Sequence, residues 1–148
     1  MRLTTRTNLA MRALMFCAVN PDLTVRKSDI ASACNASLNH LGLVINLLAQ
    51  SGFVETTRGR NGGVRLARPA AEISVGAVFR QLESEVPFAE CFARDDNTCP
   101  LAACCKLSGV LCKALDAFYG VLDDVTLADL TRDNFDLHTL LRIEPLPA

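Results

Sequence analysis

The sequence predicts a mainly α fold with a small β-wing: a winged helix-turn-helix head followed by a long C-terminal dimerisation helix. Three observations predict it. Residues 7–52 carry apolar positions at helical spacing, interrupted by turn chemistry at 35–37. A β-branched run and a glycine-rich turn follow directly, which is the pattern of a hairpin. Further on, an apolar stripe at 107–122 continues for more than four helical turns.

Taken in order, Thr7 is expected to cap a first helix that runs to about Asn20, where Pro21 ends it. Ala10, Ala13, Leu14 and Cys17 form its i, i+3, i+4, i+7 stripe, so Cys17 reads as a core residue. A short helix is expected over 24–34 with Ile30 and Ala33 inward. Asn35, Ala36 and Ser37 make the turn. Ser37 then caps a third helix through Leu41, Val44, Ile45 and Leu48 to a terminal Gly52. Residues 53–58 (FVETTR) read as a strand, 59–63 (GRNGG) as its turn, and 64–66 (VRL) as the returning strand. Ser74 caps a helix with Val75, Val78, Phe79 and Leu82 inward. A cysteine-rich loop fills about 84–105. The long helix then carries Leu107, Val110, Leu111, Ala114, Leu115, Phe118, Val121 and Leu122. A stripe of that length exceeds what a small head can cover, so a second copy of the chain is expected against it. Cys112, seven residues after Cys105 and on nearly the same side of that helix, is expected to serve helix packing, with contact to the cysteine-rich region as the alternative. Thr126 starts a short last helix, and the tail ends with prolines at 145 and 147. Three units follow: 1–83 as the head, 84–105 as the loop, and 106–148 as the dimerisation helix and C-terminal segment.

The net charge of −1 hides a division. Residues 1–80 carry ten Lys and Arg against four acids, a balance of +6, which leaves −7 for the rest. A basic half joined to an acidic half implies that only the first meets a polyanion. Arg58, Arg60, Arg65 and Arg68 fall within eleven residues with no acid between them. On a glycine-rich hairpin they would meet phosphates or a minor groove. The plainer alternative is a solvated hairpin whose arginines serve solubility. No apolar run approaches a membrane span, so a cytoplasmic protein without a membrane partner is expected.

Four of the seven cysteines lie in the fifteen residues 91–105, CFARDDNTCPLAACC. A thiolate is both a metal ligand and an oxidisable nucleophile. Ordinary buried thiols seldom crowd this closely, and structural zinc sites use C-x2–4-C pairs that are absent here. A loop-borne iron–sulfur cluster on three thiolates accounts for the stretch best. There is no Ser/His/Asp set, P-loop or dinucleotide fingerprint, so an enzyme is not expected. An iron–sulfur electron carrier is the alternative of another class; it leaves the wing arginines and the charge division unexplained.

These residues resemble the bacterial winged-helix iron–sulfur repressors that include NsrR, RirA and IscR, over residues 1–130. The motifs that carry the resemblance are MRLT-x3-N-x3-RAL, RGRNGGVRL, ISVGAV, the three-cysteine spacing and LDDVTLADL. It implies a homodimer crossed by the long helix. Each subunit would hold an iron–sulfur cluster, 4Fe–4S in preference to 2Fe–2S, whose state controls binding to a palindromic operator in double-stranded DNA. By family spacing the ligands are Cys91, Cys99 and Cys105, with Cys104 an unassigned neighbour. NsrR-like members tend to have an acidic fourth ligand, given from the partner subunit, where this chain has Asn8; RirA-like members share the Asn. IscR-like members have a His where this chain has Ser108. Nitric oxide sensing leads, with iron-responsive or general redox-responsive repression as the alternative. The third helix, beginning at Ser37, would enter the major groove with Asn39 and His40 near base edges. Arg58, Arg60, Asn61, Gly62 and Arg65 would contact DNA from the wing. That helix has no Lys or Arg in its first turns, although relatives often do.

Overall fold

The computed structural model describes residues 3–84, 87–93 and 97–143. Arg2 and the prolines expected to end the tail lie outside them. Among the described residues there are seven α-helices and one two-stranded antiparallel sheet: α1 Thr5–Val19, α2 Lys27–Ala33, α3 Leu38–Gln50, β1 Val54–Thr57, β2 Gly63–Leu66, α4 Val75–Glu83, α5 Lys106–Asp123, α6 Leu127–Thr131 and α7 Phe135–Leu141. This is the mainly helical fold with a wing that the sequence predicts.

α1 begins one turn earlier than expected. Thr4, not Thr7, is its cap, accepting from the Thr7 backbone N–H at 3.2 Å. Thr7 is fully buried, and its hydroxyl donates to Glu83 at the end of α4. Both threonines are competent caps. A partner 76 residues away decides between them, and no local pattern shows that.

α2 is also shorter than expected. Val25 is extended and pairs with Val64 of β2, with N–H···O bonds of 2.9 and 2.8 Å in the two directions. Ile30, Ala31 and Cys34 turn inward, while Ala33 is exposed. In α3 the expected Leu41, Val44, Ile45 and Leu48 are all buried. Gly52 follows with φ 73°, the left-handed conformation that closes a helix C-terminus.

The hairpin pairs Val54 with Leu66, Glu55 with Arg65, Thr56 with Val64 and Thr57 with Gly63. Its tip needs glycine at Gly59, where φ is 102°. Gly62 is required by space: a Cβ there would lie 2.3 Å from the Thr57 carbonyl oxygen.

Ser74 caps α4 as expected, and Val75, Val78, Phe79 and Leu82 are buried. α6 has a full capping box, with Thr126 and Asp129 each bonding the other's backbone. It is not the last helix. α7 returns the chain to α1, where Asn20 donates to the Leu141 carbonyl at 2.9 Å and accepts from the Ile143 N–H at 2.9 Å. Leu127 and Leu141 thereby enter the same core as Leu14, Ile30 and Ile45. The expected short-helix-plus-tail reading missed this because the anchor is one buried amide on a distant helix. No helix among the described residues is long and apolar enough to cross a membrane.

Candidate cluster loop and nucleic-acid interface

Two surfaces hold the residues singled out by the sequence. On the first, α3 and the wing project together. The Ser37 hydroxyl caps α3 by accepting from the His40 N–H at 3.2 Å, and this fixes where the helix starts. Asn39 and His40 are exposed on its first turn. Leu43 and Asn46 continue toward solvent, with half-buried Gly42 beside them; none was among the expected residues, although the exposed pair is the helical complement of the buried stripe.

The wing arginines divide into two pairs. Arg65 is bound across the hairpin to Glu55, with N···O contacts of 3.0 and 2.7 Å. Arg68 lies over the Phe53 ring, 5.3 Å from its centroid. Arg58 and Arg60 are exposed beside the tip with Asn61, and neither has an ion-pair partner among the described residues. These two are therefore open to an external anion without first breaking a bond.

The second surface is the loop between α4 and α5. Both flanking helices are pinned. At the end of α4, Glu83 accepts from the Thr4 N–H at 3.1 Å and the Thr4 hydroxyl at 2.8 Å, as well as from Thr7. Arg6 donates to the neighbouring Leu82 carbonyl at 2.6 Å. Burial pushes the Glu83 carboxyl up, but these hydrogen bonds and the Arg6 charge together hold it below its ordinary range. At the far end of α5, Asp123 forms a two-point ion pair with Arg80, one contact at 2.7 Å. Arg80 also lies 4.4 Å from the Tyr119 ring centroid. A Cβ on Gly76 would approach Asp123 Oδ1 to 2.0 Å and its backbone N to 2.9 Å, so α4 and α5 approach closely there.

Within the loop, Cys91 lies in a 3-10 turn, Glu90–Phe92, and Cys99 precedes the turn that leads to α5. Glu90 accepts from the Thr98 N–H at 3.0 Å and the Thr98 hydroxyl at 2.7 Å. This clasp ties the residue before Cys91 to the residue before Cys99. Those two bonds hold the Glu90 carboxyl below its ordinary range. Cys105 occupies the N-cap of α5 and makes no side-chain capping bond. A negatively charged thiolate there would face the positive end of an eighteen-residue helix. Cys91, Cys99 and Cys105 are all half-buried, Cys104 is exposed, and all are free thiols. Among the described residues, no three His, Cys, Asp or Glu side chains are gathered closely enough to hold a metal. Three free thiols are a donor set whose chemistry suits iron, and the clasp ties the backbone just before Cys91 to that just before Cys99.

Asn8 is elsewhere. It is exposed on α1 and lines an open cleft of about 340 Å³ with Arg12, Asn35, Ser37 and His40, to which no cysteine contributes. Its amide donates to the Thr4 carbonyl at 3.3 Å. Cys17 and Cys34 belong to the core: burial and the nearby Cys34 push the Cys17 thiol up to about 12. Cys112 is exposed on α5.

The stripe on α5 splits in two. Leu111, Leu115, Phe118 and Leu122 are half-buried on the inner side, where the Phe118 ring lies 6.4 Å from that of Phe79. Leu107, Val110, Ala114, Ala117 and Val121 are exposed, spaced alternately by three and four.

Comparison with known proteins agrees with this architecture. The model of the family described as "Rrf2: Iron-dependent Transcriptional regulator" matches residues 3–133. The chain is 44% identical over 143 residues to the HTH-type transcriptional regulator NsrR of Geobacillus kaustophilus, covering 96% of this chain and 97% of that protein. It is 44% identical over 144 residues to Protein aau3 of Rhizobium meliloti, covering 97% and 94%. Among solved structures it is similar to T. potens IscR, with a TM-score of 0.70 and 28% identity over 90% of this chain and 88% of that one.

Proposed function

The chain belongs to the Rrf2 family of transcriptional regulators, which are not enzymes, and from that premise we propose that it is a homodimeric repressor whose operator binding is controlled by an iron–sulfur cluster that senses nitric oxide. Cys91, Cys99 and Cys105 would hold the cluster, a 4Fe–4S group in preference to 2Fe–2S. When bound, the cluster supplies iron that nitric oxide can attack. The observation that carries the reading is the loop itself. It carries three half-buried free thiols: Glu90 and Thr98, the residues just before two of them, are hydrogen-bonded to each other, and the third thiol is at a helix N-terminus.

The rest of the chain turns that loop into a control element. Glu83 ties the loop's entry to the first turn of α1, and Arg80 with Asp123 ties α4 to the helix at its exit. A change in the loop therefore acts on two helices at once. The exposed residues at 107, 110, 114, 117 and 121 have the alternating spacing of a two-helix seam, which suits a second copy of the chain. Two heads joined along that seam would present two α3 helices to a palindrome, with half-sites about 34–36 Å apart. Ser37, Asn39 and His40 enter the major groove, and Arg58, Arg60, Asn61 and Gly62 approach the backbone beside it. Arg65 joins them only by exchanging its bond to Glu55. The electron-carrier alternative does not fit a family of regulators.

Asn8 favours one second reading, repression that responds to iron supply. An amide is a weaker iron ligand than a carboxylate, which leaves the cluster's fourth position less firmly held. One experiment tests both readings. Protein purified without oxygen is measured for iron, visible absorbance and operator affinity, then titrated separately with nitric oxide, oxygen and a chelator. The expected outcome is loss of operator binding with nitric oxide, and loss of chromophore and binding together in Cys99→Ser. Release by the chelator at concentrations that leave the nitric oxide response unused selects iron sensing. Colourless, iron-free protein that binds its operator unchanged in Cys99→Ser would overturn the cluster assignment.

A further inference from the structure

The outward face of α3 has an unusual composition for a helix that meets a polyanion. Leu41, Val44, Ile45 and Leu48 turn inward. Asn39, Leu43 and Asn46 stand opposite them at i, i+4 and i+7, and all three are exposed. The helix contains no Asp, Glu, Lys or Arg. Attraction to phosphate must therefore come from elsewhere, chiefly Arg58 and Arg60. What the face offers is two amides and an alkyl group, with Leu43 70% exposed.

Gly42 borders this face, half-buried and between Asn39 and Asn46 along the helix. A Cβ built there would meet nothing within 4 Å. Alanine would fit and is the better helix former, so packing within the chain does not call for glycine. The absent side chain instead leaves a gap between Asn39 and Asn46, where a flat surface can come close to the helix backbone.

We propose that α3 reads A·T pairs: Leu43 packs on a thymine 5-methyl group, Asn39 and Asn46 each pair with an adenine edge, and Gly42 permits the close approach. This rests on the reading above that α3 enters the major groove. There, thymine alone presents a methyl group. Adenine alone presents an N6 donor beside an N7 acceptor, which an Asn amide matches with its oxygen and nitrogen. Guanine is most often read by Arg or Lys, and this face has neither. Asn39 and Asn46 are separated by about 10 Å along the helix, roughly three base-pair steps. The wing points the same way, since unpaired arginines favour the narrow minor groove of A-tracts.

The test selects binding sites from a randomised duplex library using full-length protein purified without oxygen. Affinity is then measured on the selected duplex and on copies with single thymines replaced by deoxyuridine. Wild type, Leu43→Ala, Asn39→Ala and Gly42→Ala are compared. Each half-site should hold a short A·T run. Deoxyuridine at one position in it should weaken wild type about fourfold, the worth of one buried methyl. Leu43→Ala should be indifferent to that change, and Asn39→Ala should lose about tenfold and relax its preference at a neighbouring adenine. Gly42→Ala should melt at a higher temperature than wild type yet bind more weakly. Selection of G·C pairs at the helix-facing positions, or a Leu43→Ala variant as sensitive to deoxyuridine as wild type, would overturn the inference while leaving the regulator intact. A folded, cluster-loaded protein that enriches no sequence would instead overturn the DNA-reading premise, and this inference with it.

Discussion

In α1 nine residues are buried, from Thr7 to Val19, whereas in the longer α5 none is. The two helices are comparably rich in apolar side chains, so composition does not separate them. The difference is what surrounds them. α1 is packed by α3, α4, α6 and α7, and the buried polar groups along it are satisfied: Thr7 donates to Glu83, and Asn20 at its end donates to the Leu141 carbonyl. α5 is packed by α4 on one side and leaves Leu107, Val110 and Val121 between 61% and 68% exposed on the other. The cysteines follow the same division. Cys17 and Cys34 are sealed in the head, while the thiols at 91–112 are half-buried or exposed. The part of the chain that reads is complete within one copy. The loop and α5 leave thiols and apolar side chains open to groups from outside.

The largest expected contrast is in thiol chemistry. With its pKa near 12, Cys17 is ionised to about one part in ten thousand at pH 8, and burial shields it further. Cys104 and Cys112 have no such shield. Alkylation of metal-free protein with iodoacetamide, mapped by mass spectrometry, should modify Cys104 and Cys112 at least a thousandfold faster than Cys17. Comparable rates would mean that the head opens as readily as the loop. Next comes packing. Leu14 is 0% exposed, and Leu14→Ala should cost about 2–5 kcal/mol in urea denaturation. Val110 is 61% exposed, and Val110→Asp should cost a single chain less than about 0.5 kcal/mol. The same substitution should abolish self-association in sedimentation. A Val110→Asp protein that remains dimeric would place the seam elsewhere.

The head was legible because each element announces itself locally. Ser37 and Ser74 cap helices where a cap was expected, and the buried stripe of α3 is the one its spacing gives. The wing followed from Gly59 and its β-branched flanks. What could not be read were contacts made at long sequence range by single polar groups. Glu83 took Thr7 away from a capping role, Asn20 held a helix that no expectation included, and Val64 drew Val25 into the sheet. The candidate site divides in the same way. The crowding of cysteines is visible in the sequence, but the Glu90–Thr98 clasp is not. Arg65 looked as available as Arg58 until its bond to Glu55 was seen. The outer face of α3 could have been found as the complement of the core stripe, since three exposed positions share its spacing.

A smaller contrast is expected at the joint between the two regions. Glu83 links the entry of the open loop to the closed head through Thr4 and Thr7, and its carboxyl is held below the ordinary value of 4.5. A group depressed in this way contributes stability that is fully present above the unfolded value and lost as pH falls through the folded one. Glu83→Gln keeps the shape and removes the charge, so it should cost on the order of 1 kcal/mol at neutral pH. Below pH 4.5 the difference should shrink, because the unfolded carboxyl then takes up its proton, and it should close as pH falls through the lower folded value. Urea midpoints of the metal-free proteins, followed by far-UV circular dichroism from pH 7 downward, measure this. Converging midpoints in acid identify the joint as a charged one. Parallel curves would show that Thr4 and Thr7 hold α4 equally well without the charge, and the separation between a fixed head and an open loop would then owe nothing to this residue.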